Sequence, residues 1–372
     1  GAAPGTGFSK AAGARAAGAP GILSRMLRAL QQAPKSPALK RGCYTLSIDW
    51  STNLGGSMRI RHCRPLAAFA VFFAAILAAA GAAHAQPLTK IRFTLAWSYE
   101  GHFANFMMAK ANGYYEREGL DVTLDSGTGS GASISRIVGG SHDVADADLS
   151  TVIEFLGNNP AQAGKFQAVY LLYNRSPMII QTLKNSGIRK PQDLAGKKMA
   201  GSISESARKA FPIYARAIGI DPKSITWLNV DPALRENLLA RGDADAISGF
   251  ELDKLTLMAR GVKEEDIVTF SYADAGLKLY SNVILASSKL IAEDPKAVAA
   301  FLRATNRALI DTIADPEEAV KSLKVFDPLA DPKTGLEKLK IILRVIDTDF
   351  AQRNGLGAIV KADLDNQVED VT

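Results

Sequence analysis

The stretch KIRFTLAWSYEGHFANFMMAKANGYYEREGLDVTLDSGTGSGASISRIVGGSHDVADADLS, Lys90 to Ser150, decides the fold. Ile91, Phe93, Leu95 and Trp97 alternate with other residues at period two, the mark of a strand with one buried face. Gly101 to Ala111 reads as a helix that Gly113 breaks, and Leu120 to Leu124 alternates again. A glycine loop, Gly127-Thr128-Gly129-Ser130-Gly131, leads into a short helical stretch, and Asp143 to Ala147 reads as a third strand. Strands and helices taken in turn predict an α/β domain with a largely parallel sheet.

Toward the C-terminus a helix over Leu149 to Leu156 and an apolar strand over Phe166 to Tyr173 continue the pattern. A second unit begins near Ser176-Pro177, with strands over Met178 to Leu183, Lys197 to Gly201 and Ala244 to Ser248, and strand recurs at Val283 to Ala286. Ser202-Ile203-Ser204-Glu205 has the S-x-x-E spacing of a capping box before a helix over Ala207 to Ile218, and Asp231-Pro232 is a second helix start. From Asp294-Pro295 onward the pattern is helical. Val298, Phe301, Leu302, Ala308 and Leu309 share one face with Thr305 as its one polar member, a packing stripe.

Toward the N-terminus, Met58 to Ala85 (MRIRHCRPLAAFAVFFAAILAAAGAAHA) reads as a secretory signal peptide: Arg59, Arg61 and Arg64, an apolar run, then Ala83-His84-Ala85 for cleavage. A retained membrane anchor is the alternative, opposed by the run being mostly Ala with no basic cluster after it. Residues 1–57 lack hydrophobic periodicity and read as a disordered leader or an over-extended start. The mature chain is expected to begin near Gln86. Ten of the 44 basic residues and one of the 38 acidic ones fall within residues 1–85, so the remainder carries 34 against 37, a net of −3. The overall +6 belongs to the leader, and nucleic-acid binding through a basic face loses its compositional support. Cys43 and Cys63 also fall in the leader, which removes disulfides, thiolate metal sites and a Cys nucleophile from the exported part.

Catalytic templates fit poorly. Gly127, Gly129 and Ala132 match G-x-G-x-x-G/A with Asp146 or Asp148 about 20 residues on. The strand before them is the second, however, and Asp125 and Ser126 intervene. H-E-x-x-H, G-x-S-x-G and Walker patterns are absent, and His102 and His142 stand apart. The loop's consecutive N–H groups could instead receive a ligand oxygen, or merely turn the chain. What remains is a set of polar and aromatic residues at strand C-terminal ends, where open α/β sheets bind ligands. These are Trp97, Tyr99, Glu100 and His102; Gly129 and Ser130; Asp148 and Ser150; Ser202, Ser204 and Ser206; Phe250 and Glu251; and Tyr280 and Asn282.

At GYYEREGLDV, Gly113 to Val122, the chain resembles the periplasmic solute-binding proteins of ABC importers. It is similar in particular to the group holding thiamine-pyrimidine-precursor, sulfonate, taurine and nitrate binders and the fungal pyrimidine synthase. Trp97, the Gly-Thr-Gly-Ser loop, Ser186-Gly187-Ile188, Asp193-Leu194-Ala195-Gly196-Lys197-Lys198 and Gly242-Asp243-Ala244-Asp245-Ala246 fit the same group. The resemblance implies a two-lobed type II periplasmic-binding-protein fold, each lobe a mostly parallel sheet flanked by helices, with the ligand cleft between them. The expected lobes are residues 86–177 with 283–372, and residues 178–282.

The resemblance further implies capture of a small molecule by lobe closure in the periplasm and delivery to ABC permease subunits in the inner membrane. No turnover, cofactor or metal is expected, and the chain is expected as a monomer. Trp97, Tyr99, Phe250 and Tyr280 would suit a flat ring, and Glu100, Asp148 and Glu251 its amino groups, as in a thiamine pyrimidine precursor. Arg208 and two helix starts favour a sulfonate- or nitrate-type oxyanion instead. A pyrimidine-synthase-like or dinucleotide-dependent enzyme is the reading of another class; the fungal synthase carries a Cys-rich motif that the exported part of this chain lacks.

Overall fold

The computed structural model describes residues 87–372. The leader and signal-peptide readings lie outside the described residues. Two five-stranded sheets organise the chain, in the orders β2-β1-β3-β10-β4 and β7-β6-β8-β5-β9. The first comprises β1 (Thr89–Thr94), β2 (Leu120–Asp125), β3 (Val144–Asp148), β4 (Phe166–Leu171) and β10 (Asn282–Ser287). The second comprises β5 (Met178–Leu183), β6 (Lys198–Gly201), β7 (Thr226–Asn229), β8 (Ala246–Phe250) and β9 (Ile267–Ser271).

The two sheets repeat one plan. β1 pairs in parallel with β2 and β3, as β6 does with β7 and β8. The fourth position in each is an antiparallel strand supplied by the chain as it arrives from the other sheet: β10 between β3 and β4, and β5 between β8 and β9. Each sheet is therefore mixed, because a strand entering from the neighbouring lobe runs against those built by local βαβ crossovers. Both inserted strands are buried along their whole length, and their sequences, NVILAS and MIIQTL, are correspondingly apolar.

β1 shows the period-two logic directly: Ile91 and Phe93 are buried while Lys90 and Arg92 face solvent. Phe93 meets Phe106 edge-on at 4.9 Å and Phe301 at 5.2 Å, clamping the helix Ala104–Ala111 and the long helix Pro295–Ala314 onto the first sheet. Thr305, the polar member of that helix's stripe, is buried because its hydroxyl meets the Tyr115 hydroxyl at 3.2 Å. Tyr115 in turn stacks on Phe301 at 5.1 Å.

The two crossings lie side by side. Leu172 and Tyr173 donate their N–H groups to the Asn282 carbonyl at 2.8 and 3.1 Å, and Ser281 donates to the Tyr173 carbonyl at 3.0 Å. The helix Lys361–Val371 secures this crossing: Gln367 exchanges side-chain hydrogen bonds with both backbone groups of Tyr280 and donates to Ser150 Oγ at 2.9 Å. Among the described residues no helix is long and apolar enough to cross a membrane.

Candidate functional site

Strand C-terminal ends from both sheets converge on one cavity of about 440 Å³, its open mouth included. The side built on the first sheet contributes Ala96 and Trp97 beyond β1, His102 and Phe103, Gly129 and Ser130 of the glycine loop, and Asn282 at the start of β10. The second contributes Glu205 and Ser206 at the start of the helix Ser206–Lys209, Arg235, Gly249 and Phe250 at the end of β8, and Leu252 and Asp253.

The second lobe's wall is a buried charge cluster. Arg235 lies 3.0 Å from Glu205, 2.5 Å from Glu236 and 2.6 Å from Asp253, and all four side chains are almost fully buried. Burial pushes the Glu205 carboxyl up to about 7; Arg235 lowers it and Asp253 raises it. Burial raises Asp253 too, against the pull of Arg235. Burial disfavours the Arg235 charge, but Asp253, Glu236 and Glu205 outweigh it and hold the guanidinium firmly charged. Gly249 makes room for this cluster: a Cβ there would lie 2.0 Å from Asp253 Oδ2 and 3.0 Å from Arg235 Nη1.

Across the cleft, burial pushes the His102 imidazole down to about 4, Glu100 raises it and Lys338 lowers it, so the ring is neutral at pH 7. Its Nδ1 is buried, 3.5 Å from Glu100 Oε2, with no hydrogen-bond partner. Behind it, Glu100 is held ionised by Lys338 at 2.8 Å; burial works the other way. Deeper still, Asn282 Nδ2 donates to both Asp146 oxygens at 3.0 and 2.8 Å, and burial raises Asp146 to about 7.

The cavity brings together Trp97, His102, Gly129, Ser130, Ser206, Phe250 and Asn282 of the residues expected from sequence. The other eight stand elsewhere. Ser202 donates its hydroxyl to the Thr128 carbonyl at 3.4 Å. Tyr99 donates its hydroxyl to the Leu124 carbonyl at 2.7 Å and packs by Phe326. Glu100 lies behind His102. Asp148 is a buried cap accepting from the Thr151 N–H, and it also accepts the Ser281 hydroxyl. Ser150 and Tyr280 are tied to Gln367, and the Tyr280 hydroxyl donates to Asp363 at 2.9 Å. Glu251 donates its N–H to the Pro177 carbonyl and is not in the cavity wall. Ser204 meets the glycine loop through its backbone.

That loop is a contact between lobes. Gly127 and Gly129 donate their N–H groups to the carbonyls of Trp97 and Ala96, both at 2.8 Å, and Gly131 donates to the Ser204 carbonyl at 3.0 Å. These amides are thus engaged by protein oxygens. Gly129 has φ +130° and faces Ser204 so closely that a Cβ would come within 2.3 Å of its carbonyl oxygen. The glycines serve close approach, and the dinucleotide spacing they mimic is a coincidence of that need.

Glu205, Arg235 and Asp253 are the charged lining residues that the sequence pattern did not bring forward. The S-x-x-E spacing makes Glu205 a capping residue, and Glu205 Oε2 does accept the Ser202 N–H at 3.3 Å. Its Oε1, however, is buried at the cavity with no donor aligned on it. Gly249 inside a strand was the legible trace of the cluster, since a glycine there marks a close approach.

Two α/β lobes that close strand ends over a shared cavity define the fold class of periplasmic solute-binding proteins. The alkanesulfonate-binding protein SsuA of Xanthomonas axonopodis pv. citri, bound to MOPS, superposes with a TM-score of 0.57 at 17% identity, covering 75% of this chain and 97% of that one. More specifically, the chain belongs to the NMT1/THI5 like family, whose model matches residues 100–319. It is 30% identical over 251 residues to the riboflavin-binding protein RibY of Chloroflexus aurantiacus, covering 66% of this chain and 69% of RibY. It is also 24% identical over 241 residues to the 4-amino-5-hydroxymethyl-2-methylpyrimidine phosphate synthase of Schizosaccharomyces pombe, covering 62% of this chain and 68% of that enzyme.

Proposed function

We propose that this protein is the substrate-binding component of an ABC import system, capturing a flat nitrogen heterocycle of the thiamine-pyrimidine-precursor kind in the periplasm. In this reading residues 86–177 and 283–372 form one lobe, residues 178–282 the other, and the stretch 58–85 directs export. The observation that carries it is the composition of the cavity wall: Trp97, Phe103 and Phe250 offer ring faces, and Glu205 and Asp253 offer acceptors. Ligand contacts from both lobes favour the closed form, and the difference in affinity between open and closed forms sets how completely the lobes shut.

A sulfonate or nitrate ligand fits less well. The one charged cation in the wall, Arg235, is already matched by three carboxyl groups. Catalysis of the synthase kind has the relatives' names in its favour. Against it, residues 64–372 contain no cysteine, and the polar groups at the cavity comprise no nucleophile-base pair in hydrogen-bond contact.

Native purification followed by mass spectrometry of the retained small molecule tests the reading. The molecule should stabilise the protein in a thermal-shift assay, by about 2.7 kcal/mol at 100 times its Kd. Trp97→Ala should abolish that shift. Conversion of the molecule by the purified protein would overturn the binding reading, and N-terminal sequencing of exported material should find Gln86.

A further inference from the structure

We propose that the molecule held in this cleft is an organic cation whose N–H edge meets Glu205 while its flat body lies among Trp97 and Phe250. The proposal rests on the binding reading above and adds the charge of the ligand and the group that reads it.

Three observations carry it. First, the cavity wall carries two carboxyl groups, Glu205 and Asp253, against the one guanidinium of Arg235, and Glu236, outside the wall, adds a third within 3.0 Å of it. The neighbouring cation does not correct this: Arg208 donates to the Gly201 carbonyl and to Asn229, and rests over Trp227 at 4.8 Å. Lys338 is engaged by Glu100 at 2.8 Å. Second, Glu205 lines the cavity yet is only 4% exposed, and its Oε1 is buried without an aligned donor, although Arg235 Nη1 is 3.0 Å away. A buried carboxylate oxygen left in that condition is costly, and an N–H donor from a ligand removes the cost. Third, a cation already rests against the aromatic wall: the Arg235 guanidinium lies 5.2 Å from the centre of the Trp97 ring. The same surface that accommodates a flat delocalised cation from the protein suits one from a ligand.

A neutral donor could satisfy the Oε1 but would leave the excess acid in place. An anion would add to it. A protonated aminoheterocycle or an amidine supplies the N–H, the planarity and the positive charge together.

Benzamidine and benzamide separate these possibilities, since they share shape and differ in charge. Calorimetric titration of the intact protein at pH 8, above the range in which burial keeps Glu205 protonated, should show benzamidine binding at least tenfold more tightly than benzamide, and Glu205→Gln should reduce that preference to less than threefold. Equal binding, tighter binding of benzamide, binding of neither, or a preference that survives in Glu205→Gln overturns the proposal. A co-purified molecule that is neutral or anionic at pH 7, and is lost in Trp97→Ala, would overturn the charge assignment while leaving small-molecule capture standing. Should Glu205→Gln fail to fold, Glu205→Asp replaces it: withdrawing the carboxylate by one methylene should weaken benzamidine and leave benzamide unchanged. Equal weakening of both overturns the proposal.

Discussion

The guanidinium of Arg235, from the second lobe, lies 5.2 Å from the ring centre of Trp97, from the first. One side chain thereby joins the aromatic wall to the acid cluster of Glu205, Glu236 and Asp253, and both neighbours depend on it for different reasons. Removing the guanidinium leaves buried carboxyl groups without a counter-charge. Arg235→Ala is therefore expected to destabilise the protein by roughly 3–5 kcal/mol, measured by urea unfolding. Arg235→Lys keeps the charge but loses the planar fork, so it should fall between the two. A stability loss below about 1 kcal/mol in Arg235→Ala would contradict the cluster's role.

Glu205 gives a signature in pH. Its carboxyl titrates at about 7 when folded, above the ordinary value of 4.5, with burial as the main cause. Between those values the folded state holds a proton that the unfolded state has released, so stability falls as pH rises through this window. Its contribution is complete below pH 4.5 and lost by about pH 7. The difference in unfolding free energy between the parent and Glu205→Gln should therefore move against the parent with rising pH, by at most about 1.4 kcal/mol per pH unit for one proton. A flat difference from pH 4.5 to 7.5 would show that Glu205 is not held in its acid form.

Gly131 tests closure without backbone strain. Its Cβ position lies 3.4 Å from Ser204 Cα, so the longer side chain of Gly131→Leu must push the facing turn away. The ligand-free melting temperature should change little, whereas the ligand-induced thermal shift should drop by half or more. Gly129→Ala adds strain at φ +130°, on the order of 1–3 kcal/mol, and should lower both quantities. An undiminished ligand shift in Gly131→Leu would mean that the loop does not take part in closure.

The C-terminal helices brace the cleft from behind. Gly101 and Gly335 approach so closely that a Cβ on Gly101 would lie 1.8 Å from the Gly335 carbonyl oxygen, and the helix Pro332–Ile346 carries Lys338 to Glu100. Gly101→Ala should cost roughly 1–3 kcal/mol or more, because backbone meets backbone and neither can rotate aside. Loss of the Lys338 contact should also weaken ligand binding through His102; a variant of unchanged stability and affinity would refute the brace.

Much of the fold was legible because local pattern and final burial agree. Ile91 and Phe93 alternate in sequence and lie buried on one face in the sheet, and the inserted strand NVILAS is apolar from Val283 to Ala286 because neighbours cover it on both sides. The cavity was legible in part for the same reason: Trp97, Ser130 and Phe250 sit at strand ends, and strand ends are where such sheets open. Tyr280 and Ser150 sit beside strand ends too, yet a helix some 90 to 220 residues further along, through Gln367, claims them as structure. No local pattern reports that.

The sequence by itself determined the alternation of strands and helices, the two units of that alternation and the glycine turns between them, because periodicity and backbone freedom act within a few residues. Tertiary structure alone decided that Glu205, spaced as a helix cap, would meet Arg235 and Asp253 at the cleft and would face Trp97 from the other lobe. Electrostatics and burial depend on distance in space, and the residues that share this site are separated along the chain by whole strands and helices.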